Sequence, residues 1–438
     1  MIDPATVRRT LPVLRRVTIS AALCVVMSPW AARADVVLDW NIIAVNAAIQ
    51  AGQSPFAQAR YGAIVQVAVF TAVNAITGEY EPYIDTVTAD PGASPDAAAV
   101  AAAYRVLRTY FGGTPAILTM LDTARASSLA AIPNGSAKDA GIATGEAAAE
   151  AILALRASDG ATPAQFYTVP PAAPGQWLAT PSCPVVGGVQ VGAFLHWRNV
   201  APFGVQSVSA FLPPPPPGLG SNEYAKAYDE VRTIGSSTST DAERPPDRRD
   251  VVNFYALSSP TYLLNMVARQ LATAEGRQLS DNARALALVN MAISDALVAS
   301  FNAKYEYRFW RPETAIRAGD TDGNRKTDPD PAFQPFISTP CFPSYPSNHG
   351  SGSGAGVEVL RRLYGAAGFS IELTSPNPAL AGITLRYSQL GEINSDVSDA
   401  RVYGGIHFRF DQDAGERMGR EIATYVYKNN LRPLHGGQ

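Results

Sequence analysis

Charge is scarce in this chain. Of its 438 residues only 17% are charged, and the formal net charge is −3. Charge alone therefore supplies no strong attraction to nucleic acid or to an anionic membrane. Histidine is scarcer still, with four residues, and there are three cysteines. No repeat of fixed period is visible, which excludes solenoids and propellers. No series of alternating strands is visible either, so the fold class is mainly α. What is abundant is apolar: 47% of the residues are hydrophobic. That fits a packed globular protein, long enough for two helical bundles or one large double domain.

The first 34 residues have the layout of an export signal. Arg8, Arg9, Arg15 and Arg16 precede a short apolar core, Val17 to Val26, and Ala32-Arg33-Ala34 is a small-x-small cleavage site. The core is too short for a membrane-spanning helix, so cleavage before Asp35 and passage by the general secretory route to the periplasm or the exterior are expected. Cleavage removes five Arg and one Asp and takes the formal charge from −3 to −7. It also removes Cys24. Cys183 and Cys341 then remain for an oxidising compartment, either as a disulfide or as two buried thiols.

Four segments follow from the pattern. Residues 1–34 are the signal and 35–160 a helical bundle rich in alanine, as suits close helix packing. Residues 161–221 are irregular, with a proline tract from Pro213 to Pro217, and such segments wrap a surface or line the mouth of a site. Residues 222–438 are a second helical bundle. Ser280-Asp281 is read as the cap of a long helix over 282–303, and a further helix is expected over 353–364. His196, alone in the irregular segment, is read as structural. Asp320-Thr-Asp-Gly-Asn324 lacks the closing Glu of a calcium loop and is read as a solvated turn.

The chemistry is concentrated between Lys304 and Asp411. Lys304-x6-Arg311-Pro312 comes first, then Pro346-Ser347-Asn348-His349, then Arg401-x5-His407-x3-Asp411. Three cations, a hydroxyl and backbone N–H groups at a helix start are what a tetrahedral or trigonal-bipyramidal oxyanion requires. Two imidazoles add a ligand or nucleophile and an acid/base. Lys304 and Arg311, seven residues apart, are expected on one helix face. A helix beginning near Gly405 would set His407 and Asp411 one turn apart, with Asp411 fixing the imidazole tautomer.

These three stretches resemble the signature of vanadium-dependent haloperoxidases and type-2 phosphatidic acid phosphatases: Lys-x6-Arg-Pro, Pro-Ser-Gly-His and Ser-Arg-x5-His-x3-Asp. The flanks Lys304-Tyr-Glu-Tyr-Arg-Phe-Trp-Arg-Pro312 and Phe342-Pro-Ser-Tyr-Pro-Ser347 are closer to the haloperoxidase branch. The resemblance covers about Ser280 to Lys428. Asn348 stands where the family usually has Gly, and Ala400 where it usually has Ser. The resemblance implies a haloperoxidase-like fold of two packed helical bundles and a vanadate cofactor, with phosphate able to occupy the same site. Lys304, Arg311 and Arg401 would neutralise equatorial oxygens, with Ser347 and the Asn348 backbone donating hydrogen bonds. His407 would be the axial ligand of vanadium, His349 the acid/base, Asp411 the support of His407, and Phe342 a residue of the halide pocket. Hydrogen peroxide, halide and a small organic acceptor would be the partners, with no nucleic acid and no membrane insertion after signal cleavage. The same cradle with His407 as nucleophile would make an acid phosphatase. A catalytically silent helical binding protein is the third alternative.

Overall fold

The computed structural model describes residues 35–434, and the signal expected over residues 1–34 lies outside them. Five helices come first: α1 (Val36–Gln50), α2 (Pro55–Thr77), α3 (Pro95–Phe111), α4 (Pro115–Ala130) and α5 (Ser136–Arg156). Ser54-Pro55 and Ser94-Pro95 explain two of the starts. Each Ser hydroxyl accepts from a first-turn N–H, of Ala57 and Ala97, and each Pro fills a position whose N–H needs no acceptor. The alanine content serves close approach. Gly141 and Gly145 of α5 lie so near α3 that a Cβ would come 2.3 Å from the carbonyls of Ser94 and Ala98.

The irregular segment holds a small antiparallel sheet of β1 (Tyr167–Thr168), β2 (Val185–Val186) and β3 (Val189–Gly192), in the order β1-β3-β2. It is tied down at several points. Cys183 is joined to Cys341 in a disulfide with Cα atoms 5.3 Å apart. The N–H groups of Phe203, Gly204 and Val205 donate to the buried Asp295 carboxylate at 2.6, 2.7 and 3.1 Å. The hydroxyls of Tyr307 and Tyr345 donate to the carbonyls of Pro213 and Pro214 in the proline tract. His196 is buried and its Nδ1 accepts from Gln165 N–H at 3.1 Å, a structural role.

Eight helices complete the chain: α6 (Asn222–Ile234), α7 (Pro246–Leu257), α8 (Pro260–Glu275), α9 (Leu279–Tyr307), α10 (Pro312–Arg317), α11 (Asn348–Tyr364), α12 (Leu390–Val402) and α13 (Arg409–Asn429). A hairpin of β4 (Ala367–Leu373) and β5 (Leu385–Gln389) lies between α11 and α12. The 29-residue α9 is buried around nearly its whole circumference, and its buried polar groups, such as Asn290, Asp295 and Ser300, are hydrogen-bonded. It packs on α2, α11 and α13 and is the axis of the described residues. Both α2 and α9 are long and apolar enough to cross a membrane, but 83% and 94% of their apolar windows are buried inside the protein. In the turn after α10, Asp322 accepts from Asn324 N–H and Thr327 Oγ1, so its carboxylate closes the turn itself.

Helix boundaries differ from expectation at the places that matter. α9 begins after Gln278, ahead of Ser280-Asp281, and runs on to Tyr307. α11 begins at Asn348, so the run Gly350-Ser-Gly-Ser-Gly354 lies inside a helix. Its small residues let α13 approach. A Cβ on Gly415 of α13 would lie 2.5 Å from the Ser347 carbonyl, and one on Gly419 would lie 2.1 Å from that of Ser351. Gly419→Ala is therefore expected to force the two helices apart and cost about 1–3 kcal/mol of stability. Gly391→Ala in α12, where a Cβ meets nothing within 4 Å, should be neutral or slightly stabilising in the same thermal or denaturant melt.

Candidate active site

Lys304 lies in the last turn of α9 and is fully buried. Its ammonium donates to the carbonyls of Pro343 at 2.8 Å and Ser344 at 2.7 Å, which leaves one N–H uncommitted. The helix stops three residues later, where Arg308 takes a left-handed conformation with φ 51°. Arg311 is thus not on the face of α9 with Lys304, as the spacing suggested. It is the cap residue before Pro312, extended at φ −88° and ψ 156°, because proline disfavours a helical residue before it. The turn brings its guanidinium back. Nε donates to Phe342 O at 3.0 Å and Nη1 to Ile406 O at 2.9 Å, while Nη2 is buried without a partner. The Phe342 ring lies 5.4 Å from Lys304 Nζ and 5.1 Å from the Arg311 guanidinium carbon, a cation–π contact with both.

Arg401, in the last turn of α12, is buried as well, and its Nε and Nη1 have no hydrogen-bond partner. Burial pushes all three cations down: Lys304 well below its usual value, Arg311 to about 9 and Arg401 to about 10. Asp411 is the carboxylate that acts on Lys304 and Arg311. Three cations against one carboxylate leave an excess of about two positive charges in a dehydrated site, which is a strong demand for an anion.

His407 sits two residues before α13, not on it; the helix starts at Arg409 and Asp411 belongs to its first turn. The contact expected from helix periodicity forms by another route. Asp411 Oδ2 lies 2.8 Å from His407 Nδ1 and also accepts from Phe408 N–H at 3.1 Å and Ser344 Oγ at 2.5 Å. On the other side of the ring, Nε2 lies 2.9 Å from Arg311 Nη1, which can only donate. Nε2 must therefore be the unprotonated nitrogen, and Nδ1–H donates to Asp411. Burial, with Arg311, Lys304 and Arg401 close by, holds His407 well below 6.5, so the neutral form is the resident one. Burial raises Asp411 to about 6 against the pull of Ser344 and the cations. The nearby Arg409 pairs instead with Glu230 and Asp399.

Ser347 caps α11. Its Oγ accepts from Gly350 N–H at 3.2 Å, so the hydroxyl proton is left to donate outward. Asn348 and His349 are the first two helical residues, whose N–H groups have no acceptor within the helix. The Asn348 carboxamide accepts from Ser300 Oγ at 2.5 Å. His349 is half-buried with the Tyr255 carbonyl beside its ring; burial and then Arg401 hold it well below 6.5.

All nine residues singled out in the sequence thus lie in or beside one buried cluster. Two that were not singled out join it. Ser344 supplies a carbonyl to Lys304 and a hydroxyl to Asp411, and Ser300 binds Asn348. The unpartnered donors have the chemistry of an oxyanion site: Nη2 of Arg311, Nε and Nη1 of Arg401, the third proton of Lys304, the Ser347 hydroxyl and the start of α11. The Nε2 lone pair of His407, which accepts from Arg311 Nη1 here, would serve the central atom as ligand or nucleophile.

Residues 284–436 match the family model for the second helical-bundle domain of VCPO. The vanadium chloroperoxidase of Curvularia inaequalis is 26% identical over 283 residues, a match covering 49% of this chain and 46% of that protein. The chain thus spans about half the length of this curated relative. Among solved structures, a bacterial vanadium-dependent iodoperoxidase superposes with a TM-score of 0.75 at 21% identity, covering 91% of this chain and 97% of the other. A holo-type bacterial vanadium-dependent chloroperoxidase superposes at 0.62 and 15% identity, covering 86% and 93%. The fold is theirs.

An anion bound among the cations would offset the charges that hold His349 and His407 down, and so raise both. The linkage sign follows: binding takes up protons and tightens as pH falls. Sulfate, whose own charge is constant from pH 5 to 7, is expected to bind a few-fold more tightly per pH unit as pH falls across that range. Calorimetry in buffers of different ionisation enthalpy would read the uptake. Proton release, or an affinity that weakens toward acid, would contradict the electrostatics described above.

Proposed function

We propose that this chain, which carries the VCPO second helical-bundle domain over residues 284–436, is an exported vanadium-dependent haloperoxidase that oxidises halide with hydrogen peroxide. The observation that carries this is the pairing of a surplus of buried, partly unpartnered cationic donors with a neutral His407 whose Nε2 lone pair is left free of a proton. Vanadate has the charge and shape that such a cradle complements, and when bound it supplies a Lewis acid that polarises peroxide toward attack by halide.

The protein's own groups have distinct tasks in this reading. Lys304, Arg311 and Arg401 hold the oxyanion charge without solvent reorganisation, because backbone carbonyls and burial fix two of them and burial the third. Ser347 and the first N–H groups of α11 add neutral donors. His407 binds through Nε2, and Asp411 keeps the proton on Nδ1. His349, neutral near neutral pH, accepts a proton from incoming peroxide and returns it to the departing oxygen. Phe342, whose ring lies against Lys304 and Arg311, would border the halide. The oxidised halogen, as hypohalous acid or its equivalent, then passes to a small organic acceptor. Export accords with the signal-like residues 1–34 and with a disulfide between Cys183 and Cys341.

The test is peroxide-dependent halogenation of a reporter by protein loaded with orthovanadate, using chloride, bromide and iodide in turn. Vanadate-dependent turnover is expected, falling about 10²–10⁴-fold in His349→Ala. Phosphate-ester hydrolysis without halogenation, inhibited by vanadate, would overturn the reading in favour of an acid phosphatase with His407 as nucleophile. Asp411→Asn should lower vanadate affinity by about 10–100-fold, since it alters the hydrogen bond that orients His407.

A further inference from the structure

Asn348 occupies the position at which the resembled pattern has glycine. It is the first residue of α11, between Ser347 and His349, and only 4% exposed. The backbone N–H that glycine would offer is kept, and a carboxamide is added. The two ends of that carboxamide are placed differently. Oδ1 accepts from Ser300 Oγ at 2.5 Å, whereas Nδ2 is buried with no hydrogen-bond partner.

Ser300 is itself fully buried and lies four residues before Lys304 on α9. Its hydroxyl and the Lys304 ammonium therefore share one helix face. Because the hydroxyl is engaged with Oδ1, the NH2 group is turned away from it. No acceptor among the described residues lies within hydrogen-bond distance of that group. Lys304, Arg311 and Arg401 carry donors alone. The carbonyls of Phe342, Pro343, Ser344 and Ile406 accept from Lys304 and Arg311, not from Asn348. This buried NH2 group, on the residue next to Ser347, lacks an acceptor, as Nη2 of Arg311 and Nε and Nη1 of Arg401 do.

We infer that the Asn348 carboxamide is an additional donor to the bound oxyanion, with Ser300 as the positioning residue that turns Nδ2 toward it. This rests on the oxyanion reading of the site and extends it to a side chain that the resembled pattern does not contain. The donor is neutral. It strengthens the hold on a vanadate or phosphate oxygen without adding to the positive potential that already depresses His349 and His407.

The experiment measures orthovanadate and phosphate binding to the full chain by calorimetry, with thermal melts in the presence and absence of each anion. Asn348→Ala keeps the backbone N–H and removes the amide. Its affinity for both anions is expected to drop about tenfold, the size of one neutral hydrogen bond to an ion. Its anion-free melting midpoint should change little, because the unpartnered Nδ2 leaves together with the acceptor of the Ser300 hydroxyl. Ser300→Ala should lose about threefold, since the amide stays but is no longer oriented. Asn348→Asp, which sets a carboxylate against the anion, should lose more than either. Parent-like affinity in Asn348→Ala would overturn the inference while leaving the oxyanion cradle intact. So would a lowered anion-free midpoint with an unchanged anion-induced rise, which would make Asn348 a packing residue. Failure of the parent to bind either anion would remove the cradle itself, and the inference with it.

Discussion

Three cations buried around a single carboxylate are the constraint that the rest of this structure serves. Each desolvated ion costs several kcal/mol even after relaxation, and like charges brought together add to that cost. The chain offsets it with oriented backbone. Four carbonyls, of Phe342, Pro343, Ser344 and Ile406, accept from Lys304 and Arg311, and Asp411 adds one full negative charge. Such dipoles hold the cations only if the loops that carry them cannot relax. The loop from Phe342 to Ser347 is accordingly fixed at both ends, by the disulfide at Cys341 and by the junction of α11 with α13.

Asp411 does three things with one oxygen. Oδ2 caps α13 through Phe408 N–H, takes the Ser344 hydroxyl and holds the His407 Nδ1 proton. These tasks reinforce one another. The cap fixes where the carboxylate stands, the carboxylate fixes the ring, and the ring then presents an unprotonated Nε2 beside Arg311. Burial, and then the same positive field that makes the site receptive to an anion, keeps both imidazoles neutral. A ligand nitrogen and a proton acceptor are thereby ready at a pH where an exposed histidine would be partly charged.

The residue types at this site were legible in the sequence because their chemistry is unusual: three cations and two of only four histidines in one ordered set. Their geometry was less legible. Lys304 and Arg311 at a spacing of seven suggest one helix face, yet Arg308 breaks α9 and Arg311 returns through a turn. The glycine-rich run after His349 suggests a loop leading into a helix, yet it lies within α11, with Gly350 and Gly354 against α13 and Gly352 against α8 and α9. In both cases tertiary packing overrode local periodicity. Ser300 and Ser344 carried no signal at all, since an isolated serine in a helix or a Pro-rich loop is ordinary until another element arrives beside it. The Cys183–Cys341 pairing was likewise open, because spacing along the chain contains no distance across it.

Every side chain assigned to the site comes from the C-terminal half, yet the N-terminal half is not a passive addition. α9 carries Ser300 and Lys304 one turn apart, and its position is set by α2 on one side and by α11 and α13 on the other. Asp295, one turn and a residue before Ser300 on the same helix, binds three consecutive N–H groups of the wrapping segment. That segment in turn reaches the site loop through the disulfide and through Tyr345, the residue after Ser344. The resulting circuit runs from α9 to the wrapping segment, on to the loop of Phe342 to Ser347, and back to Lys304 and Asn348. A donor set that must match one oxyanion to within tenths of an ångström needs such closure, because a helix end and a proline-rich loop left to themselves would drift apart to relieve the repulsion between their cations.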